Sequence, residues 1–159
     1  MPEAPPGPQV IAIVGPTAVG KSAVAEGVAR HVGGEIVSAD SMQVYRGMDV
    51  GTAKVPLAQR SVPYHCMDLV DPGTAYSAAL YQRDARASID ALLSRGRPAV
   101  VCGGTGLYVR AALDEMAFPQ GHASAPSRAR IEERLAQAGG KTLYRELARR
   151  DPASASLIH

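Results

Sequence analysis

The chain has 159 residues, 46% of them hydrophobic and 20% charged, and a net charge of +2. Those values suit one α/β core with at most a small appendage, and they exclude a charge-rich disordered chain. Cys66 and Cys102 lie in apolar stretches outside any CxxC or Cys/His cluster, which predicts buried reduced thiols, no zinc site and a cytosolic setting.

In chain order, Met1–Pro8 is rich in Pro and lacks the apolar centre of a signal peptide, so residues 1–8 are expected to form a disordered tail. No apolar run approaches the length of a membrane span, so a cytoplasmic protein without a membrane partner is expected. The continuous run Val10–Val14 predicts a strand buried on both faces of a parallel sheet. A Gly-rich turn follows, then a helix from about Gly20 to Val32, with Val24, Val28 and Val32 on the face toward the sheet. Gly33-Gly34 ends that helix. Ile36–Ser38 is a second strand, running into Ala39-Asp40. Residues 41–63 are rich in loop formers. A third strand is expected over His65–Val70, closed by Asp71-Pro72-Gly73. Ser77–Arg95 predicts a helix with Leu80, Ile89, Leu92 and Leu93 in the core, stopped by Gly96 and Pro98. Ala99–Cys102 predicts another buried strand, and Gly103-Gly104 leads into a helix beginning near Thr105.

From about Pro119 no further strand is expected, and residues 126–138 and 141–150 read as helices. The expected fold class is therefore α/β: a P-loop-containing parallel sheet flanked by helices over residues 9–118, and a small helical segment over 119–159. Charge is uneven between the ends. Residues 1–127 carry 10 Lys/Arg against 11 Asp/Glu, and residues 128–159 carry 7 against 4. A mildly basic end suits a polyanion or an ordinary solvated helix face equally well.

Residues 15–22 read Gly-Pro-Thr-Ala-Val-Gly-Lys-Ser, a full match to G-x-x-x-x-G-K-[ST] between a strand and a helix. Gly15 and Gly20 permit backbone angles that a Cβ would obstruct. The amides of Gly15, Pro16, Thr17, Ala18, Val19 and Gly20 (Pro16 excepted, which has no N–H) can form an anion nest at a helix N-terminus. Lys21 adds a mobile positive charge, and the Ser22 hydroxyl can hold a Mg²⁺ that neutralises phosphate oxygens. ATP, GTP and an isoprenoid diphosphate all offer a suitable diphosphate.

Most nucleotide hydrolases with this loop carry a metal-binding Asp at the end of a second apolar strand. Here Ala99–Cys102 runs into Gly103-Gly104-Thr105 with no acid, and Asp40 is the acid at a strand tip. In a parallel sheet these C-terminal tips should meet the loop in one crevice. A carboxylate there can hold a metal or accept a proton, although a helix cap or a turn would explain Asp40 taken alone.

Gly15–Ser22, the block Asp40-Ser-Met-Gln-Val-Tyr-Arg-Gly-Met-Asp-Val-Gly-Thr-Ala-Lys54 and Gly103-Gly-Thr-Gly-Leu-Tyr108 resemble, in that order, three signatures of the tRNA dimethylallyltransferase (tRNA isopentenyltransferase) family. The resemblance implies transfer of a dimethylallyl group from dimethylallyl diphosphate to N6 of an adenosine beside the tRNA anticodon, with release of diphosphate and help from Mg²⁺. It also implies that this chain is the N-terminal portion of a longer protein and that 119–159 belongs to an inserted helical subdomain. Asp40 is then the expected general base and Thr105 its catalytic partner, orienting the amine or the carboxylate; a helix N-cap is the plainer role for Thr105. Asp40, Ser41, Met42, Gln43 and Thr105 are expected to meet tRNA, with Arg128 on RNA phosphate, while Met42 and Val44 could equally serve as packing residues. Arg46, Arg83 and Arg110 are weaker candidates for phosphate contact. A monomer is expected. A small-molecule kinase uses the same loop and sheet and is the alternative, but no Arg-rich lid over a γ-phosphate is recognisable. A non-catalytic nucleotide-binding module is a third possibility.

Overall fold

The computed structural model describes Gly7 and residues 9–118 and 125–158. Apart from Gly7, the expected disordered tail lies outside the described residues. The chain divides into two compact units, Met1–Ala117 and Phe118–His159.

The first unit is built on four strands: β1 (Val10–Val14), β2 (Glu35–Ser38), β3 (Tyr64–His65) and β4 (Ala99–Gly103). All pair in parallel, in the order β1-β4-β2-β3. The connection from β1 to β2 runs through helix α1 (Lys21–Val32) and leaves a gap of one strand, which β4 fills. Central β2 and β4 are buried along their whole length. Strand alternation sends Ile36, Val100 and Cys102 to the face covered by Ala25 and Ala29 of α1. Val37 and Val101 point to the other face, where helices α2 (Ala78–Ser94) and α3 (Gly106–Leu113) pack. Beneath the sheet tips, the Tyr81 and Tyr108 rings stack with centroids 4.0 Å apart, and the Tyr81 hydroxyl donates to the Ser38 carbonyl at 3.0 Å. Burial pushes the Tyr81 phenol well above its ordinary value, so it stays a donor.

Three expectations need correction. β1 is not buried on both faces. Among the described residues it has a strand neighbour on one side only; Ile11 and Ile13 pack on the α1 cluster, but the alternate face is open, and Val14 is 54% exposed. Within α1 the valines form only part of the inner face: Val28 packs on the cluster around Ile36 and Val100, but the buried centre is made by alanines. Val24 is 56% exposed, whereas Ala25 and Ala29 are fully buried, because only small side chains let the helix backbone approach the sheet this closely. The third strand is two residues long rather than six. Cys66 and Asp68 adopt left-handed φ angles of 58° and 57°, which an extended strand cannot accommodate. The segment after them pairs with the loop instead, through a parallel bridge between Tyr45 and Val70. A single 3-10 turn, Leu57–Gln59, interrupts the loop region.

The second unit holds α4 (Ala125–Ala138), α5 (Gly140–Arg150) and the short α6 (Pro152–Ala155). Arg134 of α4 pairs with Glu146 of α5, and Asp151 caps α6 by accepting the Ser154 N–H at 2.9 Å. No helix among the described residues is long and apolar enough to cross a membrane.

Candidate active site at the strand tips

The turn from β1 to α1 places a string of loop residues over the sheet edge. Gly20, the residue before α1, has φ 85°, a left-handed angle suited to glycine. Ala18 takes a similar angle, φ 66°, without that freedom. The Lys21 ammonium turns back onto the Pro16 carbonyl, closing the loop on itself.

Opposite the loop, the tips of β2 and β4 press together. A Cβ on Gly103 would lie 2.1 Å from the Ala39 carbonyl oxygen, so only glycine lets the two backbones meet. Ala39 N–H donates to the Cys102 carbonyl at 2.8 Å, and Thr105 N–H donates to the Ala39 carbonyl at 3.2 Å. This contact sets the floor of a cavity of about 270 Å³. Thr17, Ala18, Gly20, Lys21 and Ser22 form one wall, and Asp40, Gln43, Gly103 and Gly104 stand across from them. The phosphate loop, the strand-tip carboxylate and the Gly-Gly turn therefore share one crevice. Gly15, Pro16 and Val19 shape the loop without lining the cavity.

Asp40 Oδ1 accepts the Met42 N–H at 2.9 Å, so the carboxylate closes its own turn while facing the cavity. Thr105 stands at the N-cap position of α3, but its hydroxyl makes no cap bond. Its hydroxyl oxygen accepts the Ser41 N–H at 3.0 Å and lies 3.3 Å from the Ser41 hydroxyl, which ties the residue after Asp40 to the β4 tip. Gln43 is buried with both ends of its amide engaged: Oε1 accepts from the Ser38 hydroxyl at 2.9 Å and Nε2 donates to the Thr52 carbonyl at 3.0 Å. Val44 is fully buried and Met42 is exposed. Ser41, Met42 and Thr105 flank the cavity rather than line it.

The arginines are occupied elsewhere. Arg46 pairs with Asp71, Arg83 with Asp84 and Arg110 with Asp114, and none of the three lines the cavity. Arg128, in the second unit, is exposed and pairs with Glu132 one turn along α4. Among the described residues no group of three or more His, Cys, Asp or Glu side chains could enclose a metal ion. Lining residues without a prior sequence signal are Ile36, Ser38, Ala53, Tyr64 and Cys102. Ser38 and Cys102 sit at strand tips, a position that marks them as neighbours of a ligand. Ala53 belongs to the Asp40–Lys54 block but carries no signal of its own within it, and Tyr64 arrives through loop folding that no local pattern announces. Burial raises the Cys102 thiol above its ordinary value despite the nearby Lys21 ammonium, and the Asp40 charge adds to the effect.

A strand–loop–helix turn with the G-x-x-x-x-G-K-[ST] pattern, faced by a carboxylate at the tip of β2 one strand beyond β4, defines a P-loop-containing α/β protein. The match extends to a particular lineage. A family model described as IPP transferase covers residues 43–159, and one described as isopentenyl transferase covers 8–60. The chain belongs to the IPP transferase family. It is 50% identical to a tRNA dimethylallyltransferase of Streptomyces avermitilis over 99% of this chain and 50% of that protein. A tRNA dimethylallyltransferase of Mycobacterium tuberculosis is also 50% identical, over 93% of this chain and 48% of the relative. Among solved structures, the tRNA isopentenylpyrophosphate transferase of Bacillus halodurans aligns with TM-score 0.68 and 40% identity, covering 95% of this chain and 50% of that one. A eukaryotic dimethylallyltransferase acting on tRNA aligns with TM-score 0.77 and 27% identity, over 96% of this chain and 38% of that one. The chain thus spans about half the length of the curated relatives it matches.

Proposed function

We propose that the protein carrying this chain transfers a dimethylallyl group from dimethylallyl diphosphate to N6 of an adenosine next to the tRNA anticodon. One observation carries the reading: loop residues Thr17, Ala18, Gly20, Lys21 and Ser22 line the same cavity as Asp40. The diphosphate sits on the loop amides with Lys21 beside it, where charge that develops on the leaving group is stabilised. The C–O bond to diphosphate breaks and its electron pair leaves with the diphosphate. The N6–carbon bond forms in its place, and N6 sheds one proton.

Asp40 accepts that proton in this reading. Its Oδ1 is already held by Met42 N–H, so Oδ2 is the oxygen for the amine. Thr105 positions the carboxylate's turn through Ser41. The adenine reaches the site extruded from its stack. Gln43 faces the same cavity with its amide already bonded, so it shapes the adenine side of the pocket, while Ser41 and exposed Met42 meet the RNA outside it. Arg128 serves as a phosphate contact.

A Mg²⁺ ion fits this donor set. Among the described residues the protein offers the Ser22 hydroxyl on the cavity wall and no cluster of three acidic, His or Cys ligands, and Mg²⁺ favours such sites, keeping waters and substrate phosphates as ligands. When bound, the ion neutralises charge on the diphosphate.

Mass spectrometry of tRNA incubated with dimethylallyl diphosphate and the full-length protein tests the reading. The expected result is the mass of one dimethylallyl group, added only at an adenosine beside the anticodon. Asp40→Ala should cut turnover by roughly 10²–10⁴-fold while donor binding persists. Label passing from ATP to a small-molecule acceptor would instead establish a kinase.

A further inference from the structure

The segment that carries Asp40 and Gln43 is a long loop, and a loop can hold a catalytic geometry only if something locks it. The lock is a buried cation outside the cavity. The Lys54 side chain is 3% exposed. Its ammonium reaches three oxygens: the Tyr45 carbonyl at 2.8 Å, Asp68 Oδ1 at 2.8 Å and Asp49 Oδ1 at 2.9 Å. Three donors meet three acceptors, so the cation is fully satisfied. Burial alone would lower its pKa, but Asp68 and Asp49 outweigh that effect and hold it above the ordinary lysine value.

Each acceptor belongs to a different part of the loop framework. Tyr45 lies just beyond the cavity residues, and its N–H closes a turn on the Met42 carbonyl at 3.3 Å. Met42 N–H in turn holds Asp40. Asp68 lies beyond β3; its N–H donates to the Gln43 carbonyl at 3.0 Å, and Leu69 N–H donates to the Val44 carbonyl at 2.8 Å. Ala53, next to Lys54, and Asp68 itself both sit at left-handed φ angles, 51° and 57°. Non-glycine residues keep such angles only where their surroundings over-determine them. Ala53 also lines the cavity.

We propose that Lys54 is a positioning residue for the transfer reaction: its buried ammonium pins the 40–54 loop to Asp68, so that Asp40 and Gln43 present a fixed face to the acceptor base. The inference rests on the reading of the site given above. It separates two functions of the protein, because the donor loop at residues 15–22 belongs to another element and makes no bond to the clamp.

The test uses the full-length protein as wild type, Lys54→Met, Lys54→Arg and Asp68→Asn. Affinity for inorganic pyrophosphate is read by titration calorimetry. Single-turnover transfer from radiolabelled dimethylallyl diphosphate to tRNA is followed below each variant's melting temperature. Lys54→Met should keep pyrophosphate affinity and lose transfer rate by roughly 10- to 100-fold, the effect expected of a small misplacement of reacting groups. Lys54→Arg, which keeps the charge and the donors, should recover part of that loss. If Lys54→Met does not fold, Asp68→Asn carries the same comparison, with a smaller loss in the same direction. Transfer at the wild-type rate in the folded variant overturns the proposal. So does an equal loss of pyrophosphate affinity and transfer, which marks a general structural role. A wild-type protein that transfers no prenyl group removes the reading of the site, and this inference with it.

Discussion

Replacing Gly103 by Ala introduces one methyl group at the place where β2 and β4 come closest. Its Cβ would lie 2.1 Å from the Ala39 oxygen, 2.4 Å from the Ala39 carbonyl carbon and 2.8 Å from its Cα. All three are backbone atoms, so no side chain can swing aside. Relief requires the strands to part by about 1.3 Å, the gap between 2.1 Å and the 3.4 Å at which ordinary contact begins. That movement stretches the Ala39-to-Cys102 bond of 2.8 Å and the Thr105-to-Ala39 bond of 3.2 Å beyond hydrogen-bonding range. Two lost bonds at about 1 kcal/mol each, with about 1–3 kcal/mol of overpacking strain, give a destabilisation of about 3–5 kcal/mol. Urea denaturation followed by circular dichroism measures it. Gly27→Ala is the control, since a Cβ there meets nothing within 4 Å and the position lies inside α1; it should stabilise by about 0.5–1 kcal/mol. A Gly103→Ala protein within about 1 kcal/mol of wild type would show that the strand tips are not packed as described.

Two further predictions concern polar contacts. Thr105→Val removes the acceptor of the Ser41 N–H and should cost about 1–3 kcal/mol of stability together with transfer activity; Thr105→Ser should restore both, and a Val variant equal to wild type in melting temperature and turnover would discount the contact. At the opposite end of the sheet, buried Glu35 accepts from Arg97 and lies 2.7 Å from His65 Nε2. Burial would raise its pKa, but His65 and Arg97 outweigh that and hold the carboxyl below the 4.5 of an ordinary glutamate. The folded state therefore favours the ionised form, so Glu35 contributes fully above about pH 4.5 and its contribution is lost as pH falls through the folded value. Glu35→Gln should be less stable than wild type at neutral pH and should lose less stability on acidification, as thermal melts across that range will register; parallel acid limbs would contradict the pairing.

Much of this architecture is legible in local patterns. The runs Ile36–Ser38 and Ala99–Cys102 announce parallel strands because burial from both sides selects unbroken apolar stretches; Val10–Val14 shares the pattern and forms a strand, but one with an open face. Residues 15–22 announce the loop between β1 and α1 because the G-x-x-x-x-G-K-[ST] pattern belongs to a strand-to-helix turn. Asp40 could be assigned to the same crevice because parallel strands deliver all their C-terminal tips to one edge. The pattern failed where distant segments compete for the same backbone. His65–Val70 reads as one strand, yet left-handed Cys66 and Asp68 turn its second half onto Tyr45.

By itself, then, the order of residues determined the strand and helix succession, the phosphate loop and the carboxylate that faces it, since each depends on neighbours within a few positions. Only the tertiary structure decided that Ala25 and Ala29 form the buried centre of α1 while Val24 is exposed, that the Thr105 hydroxyl holds Ser41 instead of bonding the first turn of α3, that both ends of the Gln43 amide are bonded, and that Lys54 is buried among Tyr45, Asp49 and Asp68. Those outcomes follow from how closely backbones approach and from which partner satisfies a buried polar group. Both are properties of segments far apart in the chain, and neither leaves a periodic trace along it.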